Sequence, residues 1–195
     1  SIFGSEKLSD EARASLLSFY AKTVSEGIKG PLDPVQLWKS STAQSHPDMF
    51  GLLAGQSDAE KDRWLKTWIG SQQKLDGKIG AELAVGINQA YRDEPSRARA
   101  LLFLAQIVGS GSTDRGNPDE FLNMLGRNIL IEDPKLRSET LTSLLQNGNG
   151  AVSTATLLSI LDQVEQRRDM PNRYALITAV LKHPKADFSI TGRLA

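Results

Sequence analysis

Proline placement constrains this chain more than any other feature of its sequence. Five of the eight prolines stand where a helix should begin: Asp33-Pro34, His46-Pro47, Asn117-Pro118, Asp133-Pro134 and Met170-Pro171. Proline suits the first helical position, because the N–H it lacks would have no intrahelical partner there. In three of these pairs the preceding residue is Asp or Asn, whose side chain accepts from the free N–H groups of the first turn. Asn117-Pro118-Asp119-Glu120 also places Glu three residues after the cap, and Ser57-Asp58-Ala59-Glu60 is a capping box without proline. Glu94-Pro95 marks a sixth start.

Between these starts the apolar residues keep helical spacing. Phe121, Leu125 and Ile129 fall four apart, with Leu122 beside them. Leu157, Leu158, Leu161 and Val164 make a second stripe, and Ala98, Leu101, Leu102, Ala105 and Val108 a third. Two-residue alternation of the strand type is hard to find. Stops fall at Gly109-Ser110-Gly111, Gly148-Asn149-Gly150 and His183-Pro184. The pattern predicts helices over 8–27, 34–44, 47–54, 58–74, 77–92, 95–108, 118–131, 134–146, 153–168 and 171–182, with no clear helical pattern from Ala186 onward.

The second half is self-similar. Arg92-Asp93-Glu94-Pro95-Ser96-Arg97, Ile131-Glu132-Asp133-Pro134-Lys135-Leu136-Arg137 and Arg168-Asp169-Met170-Pro171-Asn172-Arg173 each follow one apolar helix and precede another. They recur at about 40 residues, the period of a two-helix repeat. The stretch from Asp133 through Pro134, Leu136 and Arg137 to Leu141, Leu144 and Leu145 resembles the inter-helix turn and second helix of a HEAT repeat. The middle segment matches best. In the other two the arginine stands one residue closer to the proline, and the aliphatic position before it is missing. The resemblance covers roughly 77–183 and implies a right-handed solenoid of helix pairs, usually a scaffold for protein partners. The expected fold is all-α: a HEAT-like stack over 77–183, an N-terminal helical cap over 1–76 and a tail over 184–195. Asp93, Asp133 and Asp169 are expected to cap helix starts. Arg97, Arg137 and Arg173 should lie about one turn later, within reach of a neighbouring unit's turn.

Composition narrows the chemistry. There is no cysteine, which removes disulfides, thiolate metal sites and cysteine nucleophiles. Lys plus Arg equals Asp plus Glu at 23 each, so no global field draws in nucleic acid or an anionic membrane. No apolar run approaches the roughly 20 residues of a membrane span. A soluble chain is expected, cytoplasmic by default, with a secreted bacterial effector as the other setting. The start at Ser1, without an initiator methionine or signal-like segment, reads as a piece of something longer.

Few residues present themselves for chemistry. His46-Pro47-Asp48 is the one place where a histidine lies near a carboxylate in sequence, but a helix start explains it more simply. His183-Pro184 reads as a helix stop. Gly109-Ser110-Gly111 follows a helix and lacks the Lys-Ser/Thr ending of a P-loop, and Gly4-Ser5-Glu6 is not a nucleophile elbow. The sequence therefore nominates no catalytic, cofactor-binding or metal-ligating residue, and no cofactor is expected.

Its candidates for partner binding are Trp64 and Trp68, four apart on one helical face, and the basic residues Arg97, Arg99, Arg167 and Arg168. Tryptophans can anchor a partner, although the core is their commoner place. Arginine forks suit carboxylate or phosphate, but Asp93, Glu94, Glu165 and Asp169 are interleaved and favour a solvated ion-pair network. A protein partner is favoured over nucleic acid. The alternatives are an enzymatic or nucleic-acid-binding helical domain, as in a secreted effector, and a structural segment of a larger assembly.

Overall fold

The structure, a computed structural model, describes residues 56–72, 74–110, 116–147 and 152–193, together with positions 9, 11, 12, 15, 16, 19, 50, 53 and 54. Among the described residues there are eight helices and no strand: α1 (Asp58–Ser71), α2 (Gly77–Ala90), α3 (Glu94–Ser110), α4 (Pro118–Asn128), α5 (Pro134–Asn147), α6 (Thr154–Gln166), α7 (Arg173–Lys182) and α8 (Phe188–Arg193). The helix expected over 34–44 lies outside the described residues. Of those over 8–27 and 47–54 only scattered positions are described, and 11, 12, 15, 16, 19, 50 and 53 are helical. No helix among the described residues is long and apolar enough to cross a membrane.

The helix starts follow from their caps. Ser57 accepts from the Glu60 amide, Asn117 from the Glu120 amide and Ser153 from the Thr156 amide. Asp93 and Asp133 accept from the Ser96 and Leu136 amides at 2.8 and 2.7 Å. Each such cap stabilises its helix by roughly 1 kcal/mol. Asp76 does the same for α2, and its bond to the Ile79 amide holds its carboxyl below the usual carboxylate range. The start of α7 departs from expectation. It falls at Arg173, two residues after Pro171, and its cap Asn172 sits in the left-handed region at φ 55° without a side-chain bond. Asp169, expected to cap there, lies in the preceding turn.

The chain divides into two compact units, Ser1–Gln72 with Val85–Arg92, and Gln73–Ala84 with Asp93–Ala195. In the first, α1 buries Trp64, Leu65, Trp68 and Ile69, and the Phe50 ring meets Trp68 edge-on at 6.3 Å. Gly86 permits this packing, because a Cβ there would lie 2.4 Å from the Phe50 ring. Lys61 is buried with its ammonium 4.7 Å from the centre of the Tyr91 ring and 3.6 Å from Asp58, a cation–π and ion-pair setting that offsets its burial.

In the second unit, helices two apart in sequence lie against each other. α3 packs on α5 and α5 on α7, while α4 packs on α6 and α6 on α8; α3 also touches α4, and α6 touches α7. Leu101, Leu104, Phe121, Leu125, Leu157, Leu161, Leu176 and Val180 are buried between them. Each contributes about 1.5–3 kcal/mol by leaving water. Gly80 lets the backbones close up, since a Cβ would stand 2.3 Å from the Phe121 carbonyl oxygen.

α8 is absent from the sequence pattern because its six residues are too few to show a period. Tertiary contacts hold it instead. Asp187 accepts from the Ser189 amide, Ile190 is fully buried, and Arg193 pairs with Asp162 and Glu165 of α6.

Candidate interaction surface

The best-built polar feature of the second unit is the turn Ile129–Asp133 that joins α4 to α5. Arg137, one turn into α5, folds back beneath it. Its Nη1 donates to the Ile129 carbonyl at 3.1 Å, its Nη2 to the Gly126 carbonyl at 3.0 Å, and its Nε to Gln163 Oε1 at 2.8 Å. Arg97 of α3 donates to the Leu130 carbonyl at 3.1 Å, and Arg167 reaches the Ile131 and Glu132 carbonyls at 3.5 Å. From the α3 side, Glu94 Oε2 accepts from the amides of Glu132 and Asp133 at 3.1 and 2.9 Å. One step further, the Ser138 hydroxyl donates to the Pro171 carbonyl at 2.8 Å. The three proline turns therefore touch in sequence order.

Arg137 is 4% exposed and its hydrogen bonds go to carbonyl and amide oxygens, not to a carboxylate. Burial and the neighbouring Arg167 guanidinium hold its pKa down to about 10. The C-terminal carbonyls of α4, the negative pole of that helix, offset the charge. This arrangement serves to lock a turn, and its donors are already engaged.

Beside the same turns lies an open cleft of about 440 Å³, lined by Glu94, Pro95, Asp133, Lys135, Leu136 and Glu139. Two of its carboxylates are occupied, Glu94 by two amides and Asp133 by the Leu136 amide, while Glu139 stands exposed 4.0 Å from Lys135. The occupied pair suits structure better than acid–base work, which needs a carboxyl free to exchange a proton. A second cavity, lined by Leu102, Ala105, Gln106, Ser143, Leu144 and Asn147, holds about 30 Å³, room for water alone. Among the described residues no group of three His, Asp or Glu side chains could hold a metal ion. His46 and Asp48 lie outside the described residues. His183 is buried, and its Nδ1 accepts from the Lys185 amide. Burial and Lys185 push its pKa below the ordinary histidine value.

The residues singled out for partner binding are dispersed. Trp64 and Trp68 are 2% and 4% exposed in the first unit, so their rings face its core and present little to a partner. Arg97 and Arg167 are half-buried and hold the Ile129–Asp133 turn; Arg99 is half-buried on α3, and Arg168 is exposed in the turn before α7. The described residues also include an ion-pair network on α6. Asp162 of α6 receives Arg127 of α4 at 3.1 Å and Arg193 of α8, which also reaches Glu165 at 3.0 Å.

No family model, curated protein or solved structure matches the chain.

The surface that sequence reasoning missed is on α7. Arg173–Lys182 is apolar almost all the way round, a pattern normally found in helices covered on every side. Leu176 and Val180 face inward and are buried, yet Tyr174 is 82% and Leu181 38% exposed. These two are seven residues apart and share a face with the exposed Ala175, Thr178 and Lys182. The signal was available: in Arg173–Lys182 apolar residues stand on both faces of the helix.

Proposed function

We propose that this chain is a non-catalytic protein-interaction module whose second half is a HEAT-like array of stacked helix hairpins over 77–183. The observation that carries this reading is the direct contact between successive proline turns, made by Glu94, Arg97, Ser138 and Arg167. Hairpins held turn to turn repeat the same face at each step, and such a row forms an extended surface without special chemistry. The two occupied carboxylates of the α3–α5 cleft and the exposed apolar stripe of α7 weigh on the same side.

The test is affinity capture with the intact chain, followed by reconstitution of any captured complex from purified components. Substitutions of exposed residues in the second unit should abolish the reconstituted complex and leave the circular-dichroism melt unchanged. A chain that binds no protein directly, but binds DNA with an affinity that falls steeply with salt, would overturn the proposal.

A further inference from the structure

Resting on that reading, we infer that the outer face of α7 docks an acidic amphipathic helix of a partner protein. Two independent features of this face define the occupant.

The first is the course of the helix layer. α5 lies along α3, and α7 lies along α5. The next place in that series is the face bearing Tyr174, Thr178 and Leu181, and a helix is the shape that continues it. α7 is ten residues long, about 15 Å, enough for two to three turns of contact. Tyr174 offers a large ring at low conformational cost, the usual character of a binding anchor.

The second is charge. From Met170 to Ala186 there is no acidic residue, while Lys182 stands on this face, Lys185 follows the helix, and both are exposed. Neither lysine forms an ion pair with a described carboxylate, in contrast to Arg127 and Arg193 elsewhere in the unit. The nearest flanking acids are already in use or balanced: Asp187 accepts from Ser189 and Thr154, and Asp169 adjoins Arg168. An apolar stripe edged by unpaired cations selects a helix with leucine-type residues along one side and glutamate or aspartate beside them. An anionic membrane shares the charge but not the shape, since the stripe is one helix wide and offers only Tyr174 and Leu181 as large apolar groups.

The experiment uses the full chain and a fluorescent peptide of about 18 residues, the length of five helical turns, with leucines on one face and glutamates elsewhere. A second peptide carries lysines in place of the glutamates. Phosphatidylcholine vesicles containing phosphatidylserine, and sedimentation of the chain alone, complete the set. The glutamate peptide should bind and the lysine peptide should not. Tyr174→Ala with Leu181→Ala should weaken binding about tenfold or more, and Tyr174→Ala alone, at a side chain 82% exposed, should weaken it with an unchanged melt. Lys182→Glu with Lys185→Glu should weaken the glutamate peptide and admit the lysine peptide.

Equal binding of both peptides, binding of neither, binding to vesicles alone, or a self-association abolished by the Tyr174/Leu181 pair would each overturn the assignment. A reconstituted protein complex that survives both double variants would leave the interaction module standing and remove α7 as its surface. Failure of the module itself would show as the absence of any such complex.

Discussion

The turn at Ile129–Asp133 and the turn at Arg168–Asn172 carry the same punctuation of acid, proline and arginine, and they are built differently. In the first, Asp133 caps α5, Pro134 opens it, and Arg137 stands one turn inside, where a helical side chain can point back along the axis. It reaches Gly126, Ile129 and Gln163. In the second, the helix opens two residues late, so Arg173 is its first residue and has no preceding turn to fold over. Its Nε is buried without a hydrogen-bond partner. A shared motif thus marks a break between helices, while the register of its arginine decides whether that side chain braces the turn.

The two turns should differ most at Arg137. Arg137→Ala should destabilise the chain by about 3 kcal/mol, because three acceptors lose their donor in a buried place. Arg137→Lys should recover only part, since a single ammonium does not span them. Arg173→Ala should stay within about 0.5 kcal/mol. Urea unfolding of the three variants measures all of this, and equal losses at 137 and 173 would erase the distinction between the turns.

A smaller effect is expected at the end of α7. His183 Nδ1 must be unprotonated to accept from the Lys185 amide, and its folded pKa is lowered by burial and then by Lys185. The unfolded chain therefore takes up the proton first. The contribution of His183 is complete above the ordinary value of about 6.5 and is lost as pH falls below it. Melting temperatures from pH 8 down to 5 should show this decline, and His183→Asn should flatten it.

The smallest effect concerns Asn172. Its left-handed backbone disfavours a side chain, so Asn172→Ala should cost about 1 kcal/mol, and Asn172→Gly should be neutral or stabilise by a few tenths. A loss with glycine as large as with alanine would mean that the asparagine side chain, not the backbone angle, matters at this start.

Helix positions were largely legible in the sequence because proline and the short polar caps act locally. Asn117-Pro118, Asp133-Pro134 and Ser153 need nothing beyond their own first turn. Features settled by distant partners were not. α8 depends on Ile190 and on Arg193 meeting Asp162, and the late start of α7 depends on the Arg168–Asn172 turn. The candidate surface lay between these cases. Tyr174 and Leu181 share a helical face by spacing alone, but only the packing of Leu176 and Val180 reveals which face stays open.

The most direct measurement is amide hydrogen exchange at Glu132 and Asp133, followed by NMR in the intact chain and in Glu94→Ala. These two amides belong to one proline turn and donate to a carboxylate at the start of another. They should exchange slowly in the parent chain and at loop rates in the variant, with the Leu136 amide bonded to Asp133 still protected. Exchange at loop rates in the parent, or protection indifferent to Glu94, would mean that the turns are not joined and the hairpins are not stacked through them.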